Sequence, residues 1–382
     1  MPKQTTYADA RVNVDLGDDA SKVLYNAAKQ TWKNRKGRFG EVVELFSDFS
    51  GLRAVHVGGL PQGTYMNLGF DGVGTKMELG ERIGKHNTVA YDLFAMVCDD
   101  AVVRGAEPVL VGSILDVNSL GRDGESYIEF VKQLANGYIC AAKAANVVVV
   151  NGEVAELGAR VQGYGKFNYN WGAGIVWFAK KDRMFTGKEI QPIDSIVALK
   201  EEGFRSNGLS LVRKIMKQTY GDNWHEKDYN GKNLAELALT PSIIYSKAIV
   251  DMFGGFEEIP KAEVHGVAHI TGGGIPGKLG RVLKQSGLSA AISDPFEPSE
   301  FVRYVQELGG VLDREAYRTW NMGQGMLVIT PEPKRVIDVS SSYGIFAKEV
   351  GVIENSKDNP IILIKNRGAH YAKEPELVFD IR

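Results

Sequence analysis

The chain has 382 residues, of which 44% are hydrophobic and 24% charged, and its formal net charge is −2 at pH 7. These values are typical of a globular protein that is long enough for two domains. A charge this close to zero provides no broad field for nucleic acid or for an anionic membrane. We therefore expect a small-molecule ligand, held by a local site if it is anionic.

The cysteines and the apolar segments indicate a cytoplasmic location. Cys98 and Cys140 are too few for a disulfide framework, and their spacing does not match a zinc site. The longest apolar runs, such as Val147–Val150, are too short to cross a bilayer. Residues 1–19 lack the apolar core of a signal peptide.

The first half of the chain alternates strand-like and helix-like segments. In chain order the patterns predict a strand over Thr64–Phe70, a helix over Ala90–Arg104, a strand over Pro108–Leu115, a helix over Gly124–Ala145, a short strand over Val147–Val150 and a strand over Trp171–Ala179. The charged, turn-rich stretch that follows predicts a boundary between a domain of residues 1–180 and a domain of residues 181–382.

The second half continues the alternation. We predict strands over Ser195–Leu199, Val264–Ile270 and Gly325–Thr330, and helices over Gly208–Thr219, Lys278–Gln285 and Glu300–Leu308. The alternation indicates an α/β or α+β layer architecture and leaves the strand order open.

The hexapeptide from Asp71 to Lys76, which reads Asp-Gly-Val-Gly-Thr-Lys, is the first candidate for chemistry. Its two glycines allow backbone N–H groups to approach a ligand closely. Lys76 supplies a point charge suited to phosphate, and Asp71 a hard oxygen ligand for Mg²⁺. A plain Asp-Gly hairpin turn is the alternative, and the hexapeptide alone leaves both interpretations open.

Carboxylates elsewhere in the first half strengthen the prediction of a metal site. Asp92 and Asp99 are seven residues apart on one face of an apolar helix, which indicates that cations meet them. Asp100 either joins this site or pairs with Arg104 one helical turn later. Glu153 follows a predicted strand. Because Mg²⁺ takes one or two carboxylates, three acids imply either two ions or another role for one acid.

The segment from His265 to Gly274 contains two histidines and a triple glycine. It does not match a zinc-protease pattern, and Leu279 rules out a Walker A motif because leucine cannot coordinate magnesium. A glycine-rich turn that leads into a helix still suits an anion, with a structural turn as the alternative. Ser206-Asn207-Gly208 and the segment from Asn321 to Gly325 read by themselves as an N-cap and a turn.

Eight segments, in one order, resemble the phosphoribosylformylglycinamidine cyclo-ligase (aminoimidazole ribonucleotide synthetase) family. They are Tyr7–Asp15, Asp71–Lys76, Asp92–Asp100, Arg104–Pro108, Ser206–Lys214, Leu239–Lys247, Val267–Gly274 and Tyr317–Met326. The resemblance covers about residues 7 to 365. It implies a homodimer, with an N-terminal domain whose strands form a barrel across the dimer and a C-terminal α/β domain. It also implies ATP, Mg²⁺ and the substrate formylglycinamidine ribonucleotide, whose amide oxygen is phosphorylated before the imidazole ring closes.

The resemblance also implies roles for particular residues. The implied ATP-binding residues are Asp71, Gly72, Gly74, Thr75, Lys76 and Glu153, and the implied metal ligands are Asp71, Asp100 and Glu153. The implied catalytic residues are Lys76, Asp100 and His269. The implied substrate-facing residues are Ser206, Asn207, Gly208, His269, Thr271, Gly272, Gly273, Gly274 and Asn321.

Departures from the family pattern mark the chain as a divergent member. They are Gly37–Phe46, Ser113–Asn118, Gly152–Ala159, the tail Tyr371–Arg382, and Arg205 where the family usually has a histidine. Two alternatives stay open: another ATP-using enzyme of the superfamily, such as a selenophosphate synthetase or a thiamine-phosphate kinase, and a catalytically silent nucleotide-binding paralogue. The selenophosphate synthetase needs a reactive cysteine near the N-terminus, and no cysteine precedes Cys98.

Overall fold

The computed structural model describes residues 14–44, 53–122, 124–356 and 359–381. The α-helices of these ranges are α1 (Val14–Thr31), α2 (Met77–Ile83), α3 (Val89–Val102), α4 (Ile128–Ala145), α5 (Leu209–Tyr220), α6 (Leu234–Ala238), α7 (Ser246–Phe253), α8 (Gly274–Leu283), α9 (Glu300–Leu308), α10 (Asp313–Thr319) and α11 (Pro333–Ser342). None of them is both long and apolar enough to cross a membrane.

The strands of the same ranges are β1 (Val42–Glu44), β2 (Arg53–Val55), β3 (Thr64–Gly72), β4 (Glu107–Val117), β5 (Gly121–Arg122), β6 (Glu125–Ser126), β7 (Val148–Glu156), β8 (Tyr169–Lys180), β9 (Ser195–Lys200), β10 (Asp228–Tyr229), β11 (Lys232–Asn233), β12 (Gly266–His269), β13 (Ser289–Ile292), β14 (Gln324–Thr330), β15 (Ala347–Glu354), β16 (Ile361–Lys365) and β17 (Glu376–Asp380). Residues 7–13 of the first family-like segment and residues 45–46 of the departing loop lie outside the described ranges.

The chain forms two compact units. The first contains residues 1–62, 66–98 and 108–177, and the second contains residues 63–65, 99–107 and 178–382. Asp99 and Asp100, in the last turns of α3, therefore belong to the second unit together with most of the C-terminal half.

The first unit is built on a four-stranded sheet in the order β3-β8-β4-β7, in which β4 and β7 run parallel. Helix α4 buries a stripe that includes Val131, Leu134 and Tyr138, which recurs at the helical period. Asn146 in the left-handed conformation ends this helix. On β3 the alternate residues Met66, Leu68 and Phe70 are exposed, so one face of the sheet presents apolar side chains.

The second unit is built on a seven-stranded sheet in the order β12-β14-β9-β15-β13-β16-β17. Every residue of β14 is buried, which agrees with a central strand covered on both faces. The core beside it contains Val197, Met326, Ile249 and Phe253, contributed by the sheet and by α7. Apolar burial of this kind is the main stabilising contribution to folding.

Several predicted elements differ from the observed ones. Strand β7 continues to Glu156, so Glu153 lies within a strand and not after one; the polar Asn151 and Gly152 remain paired with β4 although the apolar run has ended. Strand β3 likewise includes Asp71 and Gly72. Helix α8 starts at Gly274, four residues before the predicted Lys278, because Gly273 adopts the left-handed conformation at its N-cap.

The C-terminal extension is part of the second sheet. Strand β17 pairs antiparallel with β16 and buries Leu377 and Phe379. Arg314 of α10 binds the Val378 carbonyl and the Glu374 carboxylate. The extension thus forms the edge strand of the sheet and is tied to a neighbouring helix.

We predict that Phe379→Ala lowers the free energy of unfolding by about 3–5 kcal/mol, because the side chain is 3% exposed and its removal leaves a cavity. The neighbouring Val378, 44% exposed on the same strand, is the matched control, and Val378→Ala should change stability by no more than about 0.5 kcal/mol. Urea unfolding of both variants measures the difference. Equal, small effects would show that the extension is not part of the cooperative fold.

Candidate functional site

A buried ionic cluster lies in the second unit. The Arg205 guanidinium is 2.9 Å from the Asp99 carboxylate and 2.7 Å from that of Glu201, and all three side chains are fully buried. Asp99 also accepts hydrogen bonds from the backbone N–H groups of Tyr245 and Ser246, at the start of α7. The two carboxylates and the one guanidinium therefore provide one another's hydrogen bonds and opposite charge where water is excluded.

His269 connects this cluster to Asp100. Its Nε2 atom is 2.8 Å from Arg205 Nη2, and its Nδ1 atom is 2.7 Å from Asp100 Oδ1. Asp100 itself is half-exposed, and it pairs with His269 rather than with Arg104. The predicted catalytic residues Asp100 and His269 are thus in direct contact.

The electrostatics of the cluster follow from burial and from charge. Burial lowers the pKa of His269 to about 4, and the neighbouring Arg205 charge acts in the same direction. Burial raises the pKa of Asp99 to about 7, although Arg205 and the α7 amides oppose the rise. For Asp100, burial would raise the pKa, but His269, Lys278 and Arg205 outweigh it and the pKa is lowered.

The triple glycine forms a tight turn beside the Ser206-Asn207-Gly208 loop. A Cβ atom on Gly272 would lie 3.4 Å from Asn207 Oδ1, so the two segments are neighbours. Gly274 begins α8, and a Cβ atom there would overlap the Tyr317 carbonyl oxygen, which explains the absence of a side chain. The turn thus presents a helix N-terminus, a feature that suits an anion.

Ser206 and Asn207 do not cap α5, contrary to their interpretation as an N-cap. The N-cap is Gly208 in the left-handed conformation, and no side chain caps the helix. The Ser206 hydroxyl oxygen is buried and makes no hydrogen bond with any residue that the structure describes. Asn321 binds the Gly203 carbonyl and the Gly323 amide, so it holds the adjoining loops.

The first unit carries the other predicted residues. Asp71, Gly72 and Glu153 line one cavity of about 850 Å³. Asp71 and Glu153 stand on the two edge strands of the sheet, β3 and β7, roughly 14 Å apart for a flat sheet with three strand spacings. They therefore enter the cavity from different strands at the two edges of the sheet.

Lys76 is fully buried in the first unit. Its amine lies 2.7 Å from Asp92 Oδ1, which supplies one of the cation contacts that the acidic helix face indicates. Gly74 has a positive φ, as the glycine-rich loop requires, and Thr75 is exposed. The predicted contact of Lys76 with phosphate stays a prediction, and the structure adds that the lysine anchors the hexapeptide to α3.

The described residues contain no group of three or more His, Cys, Asp or Glu side chains that could by themselves hold a metal ion. His265 instead binds Asp194 through Nδ1 and Glu263 through Nε2, at 2.7 and 2.9 Å. A magnesium ion bound mainly by phosphates and water needs only one or two carboxylates, and Asp71 has suitable chemistry for this role.

Comparisons with known proteins agree with the two-domain α/β class. Residues 53–173 match the family model described as AIR synthase related protein, N-terminal domain, and residues 191–364 match the C-terminal domain. The chain belongs to this family. It is 34% identical to a phosphoribosylformylglycinamidine cyclo-ligase of Methanocaldococcus jannaschii, over 92% of this chain and 93% of the relative. It is 32% identical to one from Thermoanaerobacter sp. (strain X514), over 93% and 99%.

A thiamine-monophosphate kinase structure from Stenotrophomonas maltophilia K279a has a TM-score of 0.57 at 12% identity, covering 87% of this chain and 94% of the kinase. At that identity the likeness shows the fold alone. The family and the two-domain fold expected from the eight segments are confirmed.

Sequence reasoning missed the pairing of Arg205 with Asp99 and Glu201. One signal was present: Glu201 precedes Arg205 by four residues, and Asp99 lies on an apolar helix face that indicates a cation. Nothing in the spacing shows that the three meet, because 106 positions separate Asp99 from Arg205.

We predict a pH-dependent stabilisation by His265. Burial favours its neutral form, but the hydrogen bonds to Asp194 and Glu263 prevail and raise the pKa above 6.5. A group whose pKa is higher in the folded than in the unfolded protein contributes its full stabilisation below the unfolded-state pKa. That contribution is lost as the pH rises through the folded-state pKa. The stability difference between wild type and His265→Asn should therefore be larger at about pH 5 than at about pH 9. A difference that grows with pH would contradict the charged interaction.

Proposed function

We propose that this protein is an ATP-dependent cyclo-ligase that converts formylglycinamidine ribonucleotide to aminoimidazole ribonucleotide, ADP and phosphate. The observation that carries the proposal is the meeting of three distant segments in the second unit. His269 contacts both Asp100 of α3 and Arg205 of the loop before α5. Asn207 of the same loop lies beside Gly272 of the glycine turn. The similarity to cyclo-ligases over more than nine-tenths of the chain supports the same assignment.

The reaction has two steps. The amide oxygen of the formyl group attacks the γ-phosphorus of ATP, and ADP leaves. A ring-closing nitrogen of the substrate then attacks the formyl carbon, the C–O bond to the phosphorylated oxygen breaks, and inorganic phosphate departs with that oxygen. Positioning and charge stabilisation dominate phosphoryl transfer, so the protein needs fixed donors and charges more than a covalent nucleophile.

Individual residues suit separate tasks in this proposal. The glycine turn and Asn207 offer donors to the anionic, hydroxyl-rich substrate. Asp71 offers a hard oxygen to magnesium, and bound Mg²⁺ would neutralise charge on the ATP phosphates. Glu153 reaches the first-unit cavity from the opposite edge strand, which suits a different part of the nucleotide. Lys76, neutralised by Asp92, holds the backbone of the hexapeptide in place.

The kinase type is the second candidate, because thiamine-monophosphate kinase shares the fold. The relatives at 30–34% identity carry the cyclo-ligase name, which favours ring closure over simple phosphorylation. A catalytically silent nucleotide-binding protein remains the other alternative. Purified protein with ATP, Mg²⁺ and formylglycinamidine ribonucleotide discriminates the three: the cyclo-ligase releases phosphate and forms aminoimidazole, a kinase accumulates a phosphorylated product, and a silent paralogue turns over nothing.

We predict that Asp71→Asn lowers the turnover number by well over tenfold, because a neutral amide is a poor replacement for a carboxylate at magnesium. The exposed Asp338 of α11 does not line the cavity, so Asp338→Asn is the control and should keep the wild-type rate. Steady-state phosphate release measures both. A wild-type rate in Asp71→Asn would remove Asp71 from the metal site.

We propose that the chain is a cytoplasmic homodimer joined through the exposed face of the first-unit sheet. Exposed Met66, Leu68 and Phe70 on β3 and Ile114 on β4 border the 850 Å³ cavity in part and form an apolar patch. Patches of this kind on a soluble protein mark interaction surfaces. A second copy offers the same face, which gives a self-complementary, closed interface.

Phe70→Glu should shift the protein from dimer to monomer in sedimentation velocity, because it places a charge at the centre of the proposed apolar contact. Phe346 is the matched control: it is 76% exposed, compared with 75% for Phe70, but lies in the second unit. Phe346→Glu should remain dimeric. A dimer that persists in Phe70→Glu and dissociates in Phe346→Glu would place the interface elsewhere.

A further inference from the structure

Arg205 occupies an unusual position for a charged residue. Its backbone has φ of +57°, in the left-handed region that side chains other than glycine rarely adopt. Such a conformation costs on the order of 1–3 kcal/mol and persists only where the surroundings determine it. The side chain is also fully buried. Strain and burial together indicate that the fold is built around the position of this guanidinium.

The contacts of Arg205 account for that position. Its Nη1 atom donates to Glu201 Oε2 at 2.7 Å and to the Ile243 carbonyl at 2.9 Å. Its Nη2 atom donates to Asp99 Oδ2 at 2.9 Å and contacts His269 Nε2 at 2.8 Å. The two carboxylates neutralise the guanidinium and aim its Nη2 atom at the imidazole.

The contact with His269 fixes the state of the imidazole. A guanidinium only donates hydrogen bonds and stays protonated in proteins. His269 Nε2 must therefore accept, which leaves the ring proton on Nδ1. That N–H donates to Asp100 Oδ1 at 2.7 Å. Both ring nitrogens are thus engaged by neighbouring side chains.

We propose that Arg205 is a positioning residue that holds His269 as the neutral Nδ1–H tautomer and thereby fixes the orientation of the Asp100 carboxylate. His269 then acts through Asp100 and does not exchange a proton with substrate at Nε2. The tautomer follows from the contacts alone, whereas the effect on turnover rests on the proposed function. In the series from Arg205 through His269 to Asp100, only the Asp100 side chain is half-exposed. Its carboxylate is therefore the group of the series that solvent and ligands can reach.

Other residues of the protein hold Asp99 and Glu201 in place, so the position of Arg205 does not depend on a bound ligand. The first amides of α7 anchor Asp99. The Tyr245 hydroxyl binds the Lys200 carbonyl and Glu201, and its ring lies 5.1 Å from the Arg205 guanidinium carbon. Second-sphere hydrogen bonds of this type select a histidine tautomer in many sites.

The direct test is ¹⁵N NMR of the full-length protein labelled at histidine, without substrate, with the His269 signals identified by their loss in His269→Asn. The expected spectrum shows a protonated Nδ1 and an unprotonated Nε2. A protonated Nε2 in wild type overturns the proposal, and because no substrate is present, this outcome does not depend on the proposed function.

Variants of Arg205 test whether it sets the tautomer. Arg205→Gln replaces an obligate donor by an amide whose oxygen can accept, so it should permit a proton on His269 Nε2 while Nδ1–H keeps its bond to Asp100. We expect it to lower kcat by on the order of tenfold to a hundredfold, with KM for ATP little changed. Arg205→Lys offers donors only and should leave Nε2 unprotonated where Gln permits a proton there. The double variant Asp99→Asn with Arg205→Gln removes one of the two buried carboxylates that lose the guanidinium, which guards against misfolding, and Glu201 keeps the hydrogen bond from the Tyr245 hydroxyl.

Arg335→Gln on the exposed face of α11 is the control and should leave the His269 signals unchanged. A His269 Nε2 that stays unprotonated in Arg205→Gln and in the double variant, with kcat unchanged, overturns the proposal. If the wild type lacks cyclo-ligase turnover, that result counts against the proposed function, and the spectra of wild type and variants alone decide the assignment of Arg205.

Discussion

A single buried guanidinium organises the second unit around the candidate site. Arg205 is held by Asp99 from the end of α3 and by Glu201 from the end of β9, and Asp99 is in turn held by the start of α7. A buried ion pair stabilises little by itself, but the loss of one partner leaves an uncompensated charge at a cost of several kcal/mol. The cluster thus specifies which loops meet, more than it adds to overall stability.

The first unit presents a different constraint: a sheet with one covered and one uncovered face. Its strands expose apolar residues on that face, and its only carboxylates along the cavity, within the described residues, stand on opposite edges. Leu68 and Phe70, exposed on β3, border the same cavity as Glu153. The cavity and the proposed association surface therefore share residues of the first-unit sheet, and a change in either is expected to affect the other.

The sequence was sufficient for the family, the two-domain class and most element positions, because hydrophobic periodicity and glycine placement are local signals. The sequence did not predict the features that depend on tertiary contacts. The strand that contains Glu153 continues because its pairing with β4 extends past the apolar run. The N-cap of α5 is Gly208, and neither Ser206 nor Asn207 caps the helix with its side chain. Arg205 could be recognised only as an unusual residue, since its partners come from segments far apart in the chain. The tail beyond residue 364 gave no sign that it forms an edge strand.

The proposed function depends on one step, the phosphorylation of the substrate's amide oxygen before the ring closes. Formylglycinamidine ribonucleotide labelled with ¹⁸O at the formyl oxygen tests it most directly, with mass analysis of the phosphate released by the wild-type protein. The proposed reaction transfers one labelled oxygen to each inorganic phosphate that accompanies aminoimidazole formation. Unlabelled phosphate, with the label in water or retained in the nucleotide, would contradict the claim.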